Sequence, residues 1–337
     1  MTNSRAIIVG SAAVVICGLL VVIGMKASRS SKSSAPPEHL VFAVAALLDS
    51  VPALVADRQG YFKGEGLDVE VKMYSTGKDA LAAVRRGEAD FATVADFPFV
   101  LAVLDGADIQ VLATICKSGR ENSIVARRDR GITEQEHIRG KVVGVIPGTS
   151  SEFLLDEFLI MKGIPHTDLT VVELKPEETV NALLAGKVDA VSTWSQYTAQ
   201  LLKSLGNNGV RFFSEETYQM YWNIVATRKF VNGNKDSVRK FVKALDRANN
   251  YIMHDEDGAQ KVVLSSLKLE PAQLKDVWDD YEFDLSLDHT LPITLESQAR
   301  WVCKRKGVAV SDVPNFHGFV YMDALLGIKP AAVTVMR

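Results

Sequence analysis

The chain has 337 residues, 47% of them apolar and 23% charged, with a formal net charge of −3. That length suggests about two domains with room for sizeable cores. The mild negative charge gives no footing for nucleic acid, whose binders carry a marked basic excess.

The first element is AIIVGSAAVVICGLLVVIGM, residues 6–25, which holds no charged side chain. Its length matches the roughly 20 apolar residues that cross a bilayer. No small-residue cleavage site follows it: Ala35 is succeeded by Pro36, and Cys17 is preceded by Ile16 in mid-span. The expectation over residues 1–27 is a membrane anchor or signal segment, with an uncleaved anchor favoured over a cleaved signal. Lys26, Arg29 and Lys32 follow the span and only Arg5 precedes it, so counting positive charges alone would keep the body inside. SRSSKSSAPPE, residues 28–38, reads as a flexible tether. The three cysteines are Cys17 in the span and Cys116 and Cys303 in the body, the latter two expected as buried free thiols.

From His39 the pattern is strand, loop, helix, repeated. HLVFAVA predicts a strand, PALVADRQGYF a helix opened by Pro52, and LDVEVKMY an alternating strand. STGKDALAAVRR predicts a helix closed by Gly87, ADFATV a strand, FPFVLAVLDG a short apolar helix and IQVLATIC a strand. KVVGVIPGTSSEFLLDEFLIMKG begins the plan again. LTVVEL, PEETVNALLAG, VDAVST and SQYTAQLLKSLG continue it as strand, helix, strand, helix. Strands alternating with helices predict parallel βα units and an α/β fold. Four residue pairs recur at one spacing of 99: Ser50 and Thr149, Gly64 and Gly163, Gly87 and Gly186, Asp90 and Asp189. Self-similarity of this kind points to two lobes of one plan. In the last third, DSVRKFVKALDRANNYIM places Val238, Phe241, Val242, Leu245, Ala248 and Ile252 on one helical face. It and the helical runs after it read as packing on one lobe.

Catalytic patterns are absent from the sequence. The histidines, at 39, 137, 166, 254, 289 and 317, have no zinc spacing. IPGTSS lacks the lysine of a phosphate loop, no Gly-x-Ser-x-Gly elbow occurs, and Asp279-Asp280 reads as a solvated face. No cofactor is implied. In α/β sheets ligands bind beyond the carboxyl ends of the strands. The loops there are LLDSVP, YSTGKD, ADFP, IPGTSS and STWSQY, rich in Ser, Thr and Gly where helices begin. Such places offer free backbone N–H groups to an anion. The same residues are also the usual helix caps, and the two roles can coexist.

HLVFAVAALLDSVPALVADRQGYFKGEGLDVEV followed by STGKDALAAVRRGEADFATV resembles the periplasmic solute-binding proteins of nitrate, sulfonate and taurine-type ABC importers, over roughly residues 39–330. The resemblance implies the type II periplasmic-binding-protein fold: two α/β lobes joined by a two-crossover hinge, with the extra C-terminal helices on lobe one. Lobe one would be 39–118 plus 228–337 and lobe two 119–227, with crossovers at KSGREN and near TRKF. By position, the cleft would hold Ser50, Ser75, Thr76, Gly77 and Asp96 from lobe one and Thr149, Ser150, Ser151, Trp194 and Gln196 from lobe two, with Asn223 near the second crossover. The partners implied are a small-molecule solute, an ABC permease and its ATPase, and the membrane through residues 6–25, with the body on the extracytoplasmic face. A carboxylate at Asp49 or Asp96 would repel a small naked anion. That favours an amino-sulfonate such as taurine or a neutral nitrogen heterocycle, unless Asp96 merely caps the helix after it. A membrane-tethered ligand sensor is the second reading. An enzyme of pyrimidine-precursor metabolism on the same fold is the third, though the cysteine-rich cluster and iron-site histidine it implies are not found.

Overall fold

The computed structural model describes residues 38–213, 218–275, 277–307, 309, 311 and 313–336. The expected anchor and nearly all of the tether lie outside these. Among the described residues no helix is long and apolar enough to cross a membrane. Glu38–Arg337 form one compact unit.

Two five-stranded mixed sheets organise that unit. The first is built from β1 (Glu38–Ala45), β2 (Leu67–Tyr74), β3 (Phe91–Ala95), β4 (Ile109–Ser118) and a late strand, β10 (Met220–Thr227). The second holds β5 (Asn122–Arg127), β6 (Val142–Val145), β7 (Thr170–Glu173), β8 (Ala190–Trp194) and β9 (Gly209–Phe212). Their orders are β2-β1-β3-β10-β4 and β7-β6-β8-β5-β9. These are one topology written twice. In each sheet three parallel strands are followed by one antiparallel strand that arrives from the other lobe.

The repeat is visible at single residues. Asp90 donates its N–H to the Val41 carbonyl at 2.8 Å and accepts the Val41 N–H on Oδ2 at 2.8 Å. Asp189 does the same with Val142, at 2.8 and 3.0 Å. Gly87 and Gly186, at φ +73° and +71°, close the preceding helices in the left-handed region. The other two pairs do not correspond: Gly163 is left-handed and Gly64 is not, and Thr149 caps a helix with its side chain whereas Ser50 does not.

The expected parallel βα units are present, as β1, β2 and β3 in one sheet and β6, β7 and β8 in the other. One expectation is corrected here. The second passage between lobes falls between Phe212 and Met220, not after Thr227, because Met220–Thr227 pairs antiparallel with β3 and β4 of the first sheet. The division that placed 119–227 in lobe two therefore gives that lobe one strand too many.

Helices cover the sheets. Those that bear on the site are α1 (Val51–Arg58), α2 (Gly77–Arg85) and α3 (Asp96–Leu104) in the first lobe. Their counterparts in the second are α4 (Ser150–Met161), α5 (Thr179–Leu184) and α6 (Ser195–Leu205). The C-terminal third supplies α7 (Lys235–His254), α8 (Glu256–Leu267) and α9 (Thr290–Lys306). All six residues of the apolar face foreseen on α7 are buried. Phe241 stacks on Phe91 at 3.8 Å between ring centres and meets Phe42 edge-on at 4.9 Å, fixing α7 to the first sheet. Cys116 and Cys303 are buried and unpaired.

Candidate ligand-binding cleft

The carboxyl ends of β1, β2 and β3 face those of β6 and β8 across a narrow shared cavity. Two helix N-termini open onto it. Thr76 caps α2: its Oγ1 accepts the Asp79 N–H at 3.1 Å and donates to Asp79 Oδ2 at 2.7 Å. Thr149 caps α4: its Oγ1 accepts the Ser151 N–H at 3.3 Å and donates to the Ile146 carbonyl at 2.7 Å. Both hydroxyls are thus spent on their own chain, and the remaining first-turn N–H groups are the natural donors to a guest. Lys78, the second residue of α2, donates to the Pro147 carbonyl of the other lobe at 2.9 Å.

The walls are aromatic. Trp194 ends β8 and Trp222 lies in β10; both are nearly buried and border the cavity. Trp222 is held by its Nε1, which donates to Ser50 Oγ at 3.1 Å. Ser50 in turn donates to Thr93 Oγ1 at 3.2 Å. Gly77 lets this wall stand where it does, because a Cβ there would lie 2.9 Å from the Trp222 ring and 3.0 Å from Val94 Cα. The Trp194 Nε1 is buried without a partner.

Part of the wall is acidic. Asp49, in the turn after β1, is fully buried and borders the cavity, as does Glu121 in the first crossover. Glu121 Oε2 accepts from Ser195 Oγ at 2.6 Å and from the Tyr281 hydroxyl. Burial first, and the adjoining Glu121 second, hold the Asp49 carboxyl well above the usual range. Burial raises Glu121 as well, against the lowering effect of the bonds from Ser195 and Tyr281.

Of the eleven residues expected from the sequence, Thr76, Gly77, Thr149, Ser150 and Trp194 border this cavity. The others stand elsewhere. Ser50 lies behind Trp222. Ser75 is exposed, and Ser151 turns its hydroxyl to the Ile146 N–H at 3.2 Å. Gln196 is half-buried and off the wall. Asn223 is buried within the first sheet, accepting from Thr114 Oγ1 at 2.8 Å and donating to the Tyr221 carbonyl at 3.1 Å. Asp96 is the fullest departure. It opens α3 and accepts the Phe97 N–H at 2.7 Å and the Tyr218 hydroxyl at 2.6 Å, which ties down the second crossover instead of meeting a ligand.

Sequence reasoning missed Lys78, Glu121, Met220 and Trp222 on the wall. Glu121 had one available signal, a lone acid in a crossover between two apolar strands. Trp222 had none, since its strand MYWNIVAT shows no alternation.

The profile of the NMT1/THI5-like family matches residues 48–259, well over half of the chain. A Bacillus subtilis protein named for the binding of aliphatic sulfonates is 25% identical over 202 residues, 58% of this chain and 60% of its own. That match therefore spans less than two thirds of the relative. The 4-amino-5-hydroxymethyl-2-methylpyrimidine phosphate synthase THI13 of Saccharomyces cerevisiae is 22% identical over 225 residues, 63% of this chain and 65% of its own. Among solved structures, the alkanesulfonate-binding protein SsuA of Xanthomonas axonopodis pv. citri bound to MOPS superposes with a TM-score of 0.75 at 17% identity. It covers 86% of this chain and all of that one, so the periplasmic binding-protein fold is shared. With the profile matched from β2 through β10, the chain belongs to the NMT1/THI5-like family.

Proposed function

We propose that the protein is an extracytoplasmic solute-binding protein that closes two α/β lobes on a small organic solute, sulfonate- or taurine-like or nitrogen-containing, and delivers it to an ABC permease and its ATPase. One observation carries this reading. A single cavity is bordered by both lobes, by two helix N-termini and by two tryptophans, the composition of a trap for a small polar molecule. The names of the Bacillus relative and of the Xanthomonas structure support it. Residues 6–25 would tether the trap to the outer face of the cytoplasmic membrane.

Thermal unfolding of the purified protein with a panel of sulfonates, amines, pyrimidines and small anions tests the reading. A binder raises the midpoint by mass action. A panel that leaves the midpoint unmoved contradicts it.

The yeast relative's name favours a second reading, an enzyme on the same fold. Among the described residues no group of three or more His, Cys, Asp or Glu is placed to hold a metal. Recovery of the bound solute unchanged after denaturation separates a trap from a catalyst.

A further inference from the structure

The seam between α9 of the first lobe and α4 of the second is a narrow strip. Two cavities of about 380 Å³ each adjoin it, one lined by Leu159, Ile160 and Ile164 and the other by Phe97 and Leu101. Trp301 and Arg305 border both. The Arg305 guanidinium stands over the Trp301 ring, 5.3 Å from its centre, which restricts the pose it presents to α4.

There it meets two acids one helical turn apart. Its Nη1 donates to Asp156 Oδ2 at 2.6 Å and to Glu152 Oε1 at 3.2 Å. Carboxylates four positions apart on a helix repel each other, and a cation between them removes that cost. Asp156 is buried and has a second basic group beside it, His166 Nε2 at 3.4 Å. Among the described residues Glu152 pairs with no cation but Arg305. Its other oxygen, Oε2, accepts the Gly148 N–H at 2.7 Å.

Gly148 belongs to the cleft loop. It stands at φ +71°, and a Cβ there would lie 2.8 Å from Lys78 Nζ. Thr149 and Ser150, which follow it, border the cleft cavity. Pro147, which precedes it, accepts from Lys78. Two cations of the first lobe therefore act on neighbouring residues of the second: Lys78 directly on Pro147, and Arg305 through Glu152 on Gly148. A carboxylate at the third position of a helix is ordinarily a cap that reaches back to the N-cap N–H. Glu152 reaches one residue further, past Thr149, while its second oxygen is held by Arg305.

Resting on the solute-binding reading above and deepening it, we propose that Glu152 is a positioning residue of the cleft. It passes the hold of Arg305 to Gly148, so that the seam and the loop bearing Thr149 and Ser150 set together. When the lobes part, Arg305 withdraws, Glu152 and Asp156 repel, and the oxygen that fixes Gly148 is no longer held. A solute that orders the loop strengthens the Arg305 contact by the same amount, since coupling between two sites is reciprocal.

Hydrogen exchange at the Gly148 amide of the full chain, read at single-residue resolution, tests this without a solute. Arg305→Ala should speed that exchange at least about threefold, although Arg305 does not touch Gly148. Glu152→Gln keeps an oxygen for the Gly148 N–H but offers Arg305 no charge. It should speed exchange to a similar extent, and Arg305→Ala should add nothing further in its background. A residue that only capped α4 would leave Glu152→Gln like the wild type and Arg305→Ala without effect on this amide. Either of those results, or effects of the two substitutions that simply add, overturns the inference and leaves the solute-binding reading standing. For any solute that binds, each substitution should weaken affinity a few-fold and the pair no more than either alone; additive losses overturn the inference. A panel in which nothing binds overturns the solute-binding reading, and the exchange measurement still decides the role of Glu152.

Discussion

Gly77 and Asp96 show how two residues in one lobe divide structural and binding work. Gly77 has an ordinary backbone, so its importance is space: a methyl group would press on Trp222 and on the backbone of β3. Gly77→Ala should cost about 1–3 kcal/mol of stability, as overpacking does. It should weaken solute binding further by displacing the tryptophan wall, and a variant with unchanged melting and unchanged affinity would contradict the packing described. Asp96 acts through charge. Burial drives its carboxyl up to about 6, against the lowering effect of the bonds from Tyr218, Phe97 and Tyr221. An acid raised above its unfolded value of 3.8 stabilises the fold while protonated. That contribution is complete below about pH 4 and is lost as pH rises through about 6, a change of about 3 kcal/mol at most. Asp96→Asn should therefore gain on the wild type between about pH 4 and 7 in urea unfolding. Parallel stability profiles over that range would show that the carboxyl does not titrate there.

Among the elements, α4 couples the lobes. Phe153 on α4 lies between Phe97 of α3, 5.1 Å away, and Trp301 of α9, 5.5 Å away and perpendicular. Beside it, Arg305 of α9 reaches Asp156 at 2.6 Å and Glu152 at 3.2 Å. With Lys78 on Pro147, these are contacts across the two lobes that a hinged trap would make on closing. Arg305 is 43% exposed, and such pairs contribute only about 0.2–1 kcal/mol each. Lys78→Ala with Arg305→Ala should weaken binding a few-fold with little loss of stability, whereas Phe153→Ala should cost about 3 kcal/mol of stability. Equal unfolding midpoints for the two variants would contradict this division of labour.

The elements also show what a sequence can reveal. The buried face of α7 was legible because helical period and burial coincide over about four turns. Gly87, Asp90 and their counterparts were legible because a left-handed stop and a carboxylate that clamps a neighbouring strand are local needs. The antiparallel strands β5 and β10 were not, since a strand buried on both faces has no alternation to betray its direction or its sheet. In the loops, the stretches that meet the cleft were legible, but the side chains were only partly so. Thr76 and Thr149 fall on the wall because they cap helices aimed at it. Ser75 and Ser151, one and two positions away, turn elsewhere, and Glu121 reaches the wall only once both crossovers are in place.

At the scale of the whole molecule, two copies of one topology trade an antiparallel strand. The chain must then cross between lobes twice, and the crossing segments carry Glu121 and lead into Met220 and Trp222 on the cavity wall. Crossovers and cavity wall are therefore continuous, and on the proposed reading filling the cavity and closing the lobes would be one event. The most direct measurement is calorimetric titration of the solute panel into the wild-type protein and into Ser150→Trp, which fills the cavity at the N-terminus of α4. The account predicts that at least one small solute binds the wild type and none binds the variant, which still unfolds cooperatively. A panel in which nothing binds the wild type, or a solute that binds Ser150→Trp as tightly, would contradict it.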